Sequence, residues 1–303
     1  MNRIYWTNTG RLRTEQRYRE LLSNWPVPFE EFRFPTAQGE TFVLASGRAD
    51  SPPLVLLHGG LSNSLCWMPF VRLAAPYFRT YSIDTIGDPG FSAPSRPSFA
   101  TNTHADWLDE IWRTLSLTQA AVCGWSLGGW LALDFAIRHP ARVRALAALA
   151  PAGIVPIRGG TVAKILALML LGSWGRRQAL LFSMGFQNEG VPEDLTSFVE
   201  FSLFAQTAAI GRTRLPGLFA DDALRTIDVP TMLMIGERDV FFNSRRTIQR
   251  VQACLPKATV YCPTGVGHGL LGHVKPVLDF LMRRGLSDTL PHDLLSIPGT
   301  WVQ

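Results

Sequence analysis

Residues 120–139 constrain the fold of this chain more than any other stretch. The apolar run Ala120-Ala121-Val122 leads into Cys123-Gly124-Trp125-Ser126-Leu127-Gly128-Gly129, and a helix-like segment, residues 130–139, follows. This is Gly-x-Ser-x-Gly between a strand and a helix. A serine at such a sharp turn stands clear of the sheet, at the cost of backbone strain. Side chains at 124 and 128 would collide with the neighbouring strand and helix, so both positions are glycine. Gly129 lets the helix pack closely. The stretch predicts a strand, a strained turn and a helix, with Ser126 exposed at the turn as a nucleophile.

Strand-like and helix-like segments alternate along most of the chain. Residues 32–34 and 41–45 read as two strands joined through Gln38-Gly39, and Leu54-Val55-Leu56-Leu57 as a strand buried on both faces. Residues 80–83, 143–149, 230–236 and 258–261 read as further strands. Residues 9–24, 106–115, 245–255 and 274–284 read as helices. This alternation predicts an α/β fold: a mostly parallel central sheet with helices on both faces. Sites in such sheets lie at the carboxyl ends of the strands. Residues 152–227 break the alternation with helical segments at 161–171, 178–184 and 193–206. The expected organisation is therefore an N-terminal helical extension (1–30), a core (31–151 and 228–284), a helical insertion (152–227) and a loosely packed tail (285–303).

A serine hydroxyl is a poor nucleophile without a base. His268 lies in Gly265-Val266-Gly267-His268-Gly269, just after the last strand, where flanking glycines are expected to leave it accessible. His273 is the alternative base; His104, His139 and His292 are assigned to the surface. Asp239, four residues past Ile235 in Gly236-Glu237-Arg238-Asp239, is the carboxylate expected to orient the imidazole, with Glu237 and Asp228 as alternatives. An oxyanion formed at Ser126 needs backbone donors. Leu127 N–H, at the start of the helix, is one. Gly60, in His58-Gly59-Gly60 after the strand at 54–57, is the other, and His58 is expected to bond loop backbone.

Composition excludes several other functions. The chain has 303 residues, 29 basic and 24 acidic, for a formal net charge of +5. Its arginines are scattered or in short pairs such as Arg176-Arg177, without the basic stripe that a nucleic-acid partner needs. The four cysteines show no metal or redox spacing, so free thiols in a reducing compartment are expected. No metal-ligand cluster and no phosphate-binding Gly-x-x-x-x-Gly-Lys is present, so neither a cofactor nor a metal is expected. Residues 1–30 lack the apolar stretch of a signal peptide. The most apolar run, residues 165–171, is far shorter than the ~20 residues of a membrane span. These readings point to a cytoplasmic protein with no membrane span.

Taken together, His58-Gly59-Gly60, Gly124 to Gly129, Gly236 to Asp239 and Gly267-His268 resemble the α/β-hydrolase superfamily over residues 30–284. Within it, Asn24-Trp25-Pro26 and Asp84-Thr85-Ile86-Gly87-Asp88 are similar to small bacterial carboxylesterases of the carboxylesterase NP type. Many members of the superfamily have Asp-x-Arg-Gly-x-Gly-x-Ser after that strand; here Ile86 replaces the arginine. The chain order Ser126, Asp239, His268 is that of the fold. The resemblance implies a serine esterase that cleaves a small, apolar carboxylic ester through an acyl-enzyme. Other readings use the same three residues: amide, lactone or carbon–carbon cleavage, or peracid formation. A non-catalytic interaction protein on the same fold is the reading from another class.

The resemblance also implies that the insertion at 152–227 is a helical cap over the site. Leu166, Met169, Phe182, Met184, Phe186, Phe198, Phe201 and Phe204 are then candidates for an acyl pocket, unless they only bury the cap helices. Each buried methylene contributes about 0.8 kcal/mol. Hydrolysis of p-nitrophenyl esters is therefore expected to rise with acyl length over the first carbons and to fall once the cap is full. If Phe201 or Phe204 bounds the pocket, its replacement by Ala moves the optimum to longer chains.

Overall fold

The computed structural model describes residues 4–187 and 190–285. Glu189, His292 and nearly all of the tail expected at 285–303 lie outside the described residues. The chain begins with α1 (Asn8–Leu22), then β1 (Phe29–Thr36), β2 (Gly39–Ser46), β3 (Pro53–Leu57), α2 (Met68–Ala74) and β4 (Arg79–Ile83). It continues with α3 (Thr103–Thr114), β5 (Ala120–Trp125), α4 (Leu127–Arg138) and β6 (Val143–Leu149). Among the described residues four α-helices follow without a strand: α5 (Gly159–Met169), α6 (Gly172–Met184), α7 (Thr196–Ala208) and α8 (Asp221–Arg225). The alternation then resumes with β7 (Thr231–Met234), α9 (Ser244–Cys254), β8 (Thr259–Tyr261) and α10 (Lys275–Gly285).

The strands form one sheet in the order β1-β2-β4-β3-β5-β6-β7-β8. From β4 through β3 to β8 all pairings are parallel, while β2 pairs antiparallel with both β1 and β4. Period-two alternation divides each strand between two cores. Leu54 and Leu56 join Tyr18, Phe70 and Leu281 on one face; Val55 and Leu57 join Leu108, Ile111 and Leu131 on the other. A strand in the middle of such a sheet has no solvent face, which is why β3 reads as an unbroken apolar run.

Helix α1 lies against α7, and Arg17 pairs with Glu200 across the contact. Tyr18 is wholly buried, stacked on Phe91 with ring centroids 4.6 Å apart, and its hydroxyl donates to Asp84 Oδ1 at 3.0 Å. Asp84 follows the last residue of β4. It also accepts Ser64 N–H at 3.0 Å, Ser64 Oγ–H at 2.7 Å and Phe91 N–H at 2.9 Å. One carboxylate thus ties α1 to the loops after β3 and β4. The carboxylate also explains Gly90, where a Cβ would lie 2.5 Å from Asp84 Oδ2.

His104 corrects the sequence reading. It was expected on the surface, yet its ring is wholly buried, stacked on Phe99 at 4.6 Å and edge-on to Trp130 at 6.2 Å. Neither ring nitrogen has a partner among the described residues. The partly exposed sequence start of α3 hid this, because the covering rings come from other segments. Burial lowers the His104 pKa to about 4, Arg212 adds to the shift, and Asp88 opposes it. In the unfolded chain the ring protonates near pH ~6.5. Between that pH and about 4 the unfolded chain binds the extra proton, so stability falls as pH falls. The loss from this group is about 2 kcal/mol by pH ~5. Urea unfolding of the parent and of His104→Leu at pH 7 and pH 5 checks it: acidification costs the variant about 2 kcal/mol less. Equal losses would mean that the buried ring accepts a proton in place.

Candidate active site

The turn between β5 and α4 sets the geometry. Ser126 has φ 56° and ψ −111°, a conformation that costs a non-glycine residue about 1–3 kcal/mol. Three backbone hydrogen bonds hold it there: Ser126 N–H to Leu149 O at 2.8 Å, and Trp130 N–H and Ala152 N–H to Ser126 O, each at 3.1 Å. The glycines make room, as the sequence implied. A Cβ on Gly124 would lie 2.1 Å from Gly128 O, and one on Gly128 would lie 2.0 Å from Leu57 O.

His268 Nε2 lies 3.1 Å from Ser126 Oγ, and His268 Nδ1 lies 2.7 Å from Asp239 Oδ2. A carboxylate only accepts, so Nδ1 carries the proton and Nε2 presents its lone pair to the serine. The other oxygen, Asp239 Oδ1, accepts Phe241 N–H at 2.8 Å and Phe242 N–H at 2.9 Å. Both Asp239 and His268 are buried, and the rings of Phe241 and Phe242 lie 4.8 and 5.6 Å from the imidazole. The alternatives named from the sequence lie elsewhere. Glu237 accepts Gly265 N–H at 2.8 Å, Asp228 pairs with Lys257 at 2.9 Å, and His273 is exposed.

His268 departs from expectation in one respect. Its flanking glycines do not expose it, for it is only 3% accessible. They allow close packing on the end of α6 instead. A Cβ on Gly267 would lie 2.8 Å from Gly185 Cα, and one on Gly269 would lie 2.7 Å from Met184 O.

His58 bonds backbone as expected: Nε2 accepts Thr85 N–H at 2.8 Å, which leaves Nδ1 to donate to Gly59 O at 2.7 Å. Leu61 has φ 58° and donates its N–H to Asp88 Oδ1 at 3.0 Å. Gly60 and Leu127 line a cavity of about 530 Å³ that opens beside Ser126 and His268. Its apolar walls include Val155, Ile157, Val162, Leu215 and Leu218.

These walls exclude the eight candidate pocket residues named from the sequence. None of Leu166, Met169, Phe182, Met184, Phe186, Phe198, Phe201 and Phe204 lines the cavity. Phe201 is wholly buried 5.5 Å from Tyr18, and Phe198 packs 6.0 Å from Trp125. Leu166 and Met169 are exposed. The walls come from residues 152–157 and 211–218, which carry no periodic signal, and from Phe241-Phe242, whose position directly after Asp239 was the one clue available.

Sequence reasoning also missed Arg212. Its guanidinium donates to Asp88 Oδ2 at 2.9 Å and to Ile86 O at 2.6 Å, and the two side chains are 6% and 0% accessible. Asp88 therefore holds both Leu61, next to Gly60, and Arg212, in the cavity wall. Arg96 clamps the same wall, donating to Ile210 O at 2.6 Å and to Gly87 O at 2.8 Å.

The chain belongs to the alpha/beta hydrolase family, whose model matches residues 54–280. It is 33% identical to the uncharacterized carboxylesterase nap of Bacillus subtilis (strain 168) over 263 residues, 86% of this chain and 87% of that protein. It is 31% identical to carboxylesterase YbfK of the same organism over 279 residues, 91% and 93% of the two chains. The crystal structure of naproxen esterase (carboxylesterase NP) from Bacillus subtilis superposes with a TM-score of 0.80 at 30% identity, covering 91% of this chain and 98% of that one.

The buried Asp88–Arg212 pair yields a stability prediction. Asp88→Ala leaves a guanidinium buried and unpaired, an expected loss of about 3–5 kcal/mol in urea unfolding. The double variant Asp88→Ala with Arg212→Met removes the stranded charge and recovers part of that loss. A single-variant loss below ~1 kcal/mol would mean that the guanidinium reaches water.

Proposed function

We propose that this chain is a serine carboxylesterase that cleaves small, apolar carboxylic esters through an acyl-enzyme. The observation that carries the proposal is the hydrogen-bonded line Asp239–His268–Ser126 opening onto an apolar cavity. The carboxylesterase names of two relatives aligned over most of the chain support the same reading.

In this reading Ser126 Oγ attacks the ester carbonyl and gives its proton to His268 Nε2. Asp239 stabilises the imidazolium through Nδ1–H, and its own second oxygen is held by two backbone donors. Gly60 and Leu127 N–H receive the developing oxyanion, a contribution of a few kcal/mol per donor. Two features support that pair. Leu61 N–H is already committed to Asp88, so it does not compete with Gly60. Leu127 is the first residue of α4, whose opening N–H groups have no helical acceptor. Collapse of the intermediate passes the His268 proton to the departing alkoxide. Water, activated by the same imidazole, then hydrolyses the acyl-serine and frees the acid.

Ser126→Ala is expected to abolish hydrolysis of p-nitrophenyl esters and labelling by a fluorophosphonate, with unfolding unchanged. Retained activity within tenfold of the parent would sink the assignment. Asp239→Asn is expected to lower kcat by about 10⁴ by favouring the wrong imidazole tautomer. Glu237→Gln has far less effect; the reverse ranking moves the acid to Glu237.

The cavity walls sharpen the substrate expectation. Leu215→Ala or Leu218→Ala enlarges the apolar space and shifts the acyl-length optimum upward, whereas Phe201→Ala leaves it in place. An unshifted profile in both wall variants would put the acyl chain outside this cavity.

A further inference from the structure

The hairpin of α5 and α6 gathers six of the exposed large apolar residues: Val162, Leu166, Met169, Leu170, Leu171 and Trp174. Thr161 is the only buried residue of α5, while Val162 is 40%, Leu166 58%, Leu171 58% and Trp174 60% accessible. Leu170, at the hairpin tip, is 87% accessible. Soluble monomers rarely leave a contiguous patch of this kind bare without a use for it. The hairpin is nevertheless firmly seated. Thr161 Oγ–H donates to Val240 O and Arg158 N–H to Phe241 O at 2.9 Å, and the inner face of α6 buries Ala179, Leu180, Leu181 and Met184. The two helices cross tightly at Gly175, where a Cβ would lie 1.8 Å from Leu168 O.

Charge on this hairpin has one sign. The sequence contains no Asp or Glu between Asp134 and Glu189. Arg158, Lys164, Arg176 and Arg177 fall within that interval. Lys164 Nζ lies over the Phe182 ring at 4.0 Å. Among the described residues, no carboxylate pairs with Lys164, Arg176 or Arg177.

We infer that the α5–α6 hairpin is a docking face for an anionic lipid surface. An exposed apolar hairpin carrying basic side chains, with a tryptophan in the first turn of its second helix, has the composition of an element that lies in the lipid headgroup boundary. Leu170, Leu171 and Trp174 enter the acyl boundary, while Lys164, Arg176 and Arg177 meet the anionic headgroups. A second copy of this chain is a poorer occupant. A two-fold contact brings the same patch of each copy together, setting these unpaired cations against one another. Val162 belongs to both the face and the cavity beside Ser126, so the docked face continues into the cavity mouth.

The test is co-sedimentation of the full chain with vesicles of phosphatidylcholine alone and of phosphatidylcholine mixed with phosphatidylglycerol. Partitioning is expected into the mixed vesicles, weakening as salt is added. Each basic side chain near an anionic surface is worth about fivefold, so Lys164→Gln, Arg176→Gln and Arg177→Gln together lower partitioning by roughly a hundredfold. Leu170→Ser lowers it roughly tenfold. None of these residues lines the cavity, so hydrolysis of a short, water-soluble ester remains that of the parent and reports intact folding. Ser126→Ala partitions as the parent does, because binding needs no turnover; failure of the esterase proposal therefore leaves this one standing. Absence of partitioning into mixed vesicles, or equal partitioning of parent and variants, overturns the inference. So does a dimer in sedimentation equilibrium that Leu170→Ser dissociates, which would assign the face to a second copy.

Discussion

The contact between Gly128 and the carbonyl of Leu57 is the constraint on which the rest of the site depends. Helix α4 starts so close to the end of β3 that a single methyl group at 128 would lie 2.0 Å from that oxygen. The approach forces the chain through the strained Ser126 conformation and sets the serine beside the loop after β3. Strain of about 1–3 kcal/mol persists only where surrounding contacts over-determine it. Here they are the hydrogen bonds to Leu149, Trp130 and Ala152 and the matching close approach at Gly124. A local steric requirement of five residues thus fixes the register of β3, β5 and β6 around one hydroxyl.

Three buried carboxylates organise the loops above the sheet. Asp84 ties Tyr18 of α1 to the loop after β3, Asp88 ties Leu61 to Arg212, and Asp239 ties two backbone amides to His268. Each follows the carboxyl end of a strand, where the chain leaves the ladder and its polar groups need new partners. A buried carboxylate there accepts several donors at once, and removing it strands them all. The loops around the serine are therefore held by side-chain acceptors as well as by packing.

The helices inserted between β6 and β7 divide into two parts with different physics. Those nearest the sheet, α6 and α7, bury Leu180, Leu181 and Met184 and the rings of Phe198 and Phe201 in the core beneath. Helix α5 is held at its first turn and along α6, with most of its surface in water. An apolar sequence usually means burial, so in this helix local composition and observed exposure disagree.

Much of this was legible in the chain itself. The Gly-x-Ser-x-Gly turn, the unbroken apolar run of β3 and the alternation of strand and helix are local patterns, set by sterics and periodicity among near neighbours. The positions of Asp239 and His268 after their strands follow from the same local reading. Other features depend on contacts that no window of sequence contains. Phe201 and Leu215 are both apolar residues between β6 and β7, yet one fills the core and the other the cavity wall. His104 is buried because Phe99 and Trp130 close over it. Asp88 and Arg212 meet across 124 positions of chain. Sequence alone determined which residues can turn and alternate, because those properties reside in the residue and its neighbours. Tertiary structure alone decided which apolar groups face the cavity and which charges are paired, because burial is a property of the whole packing.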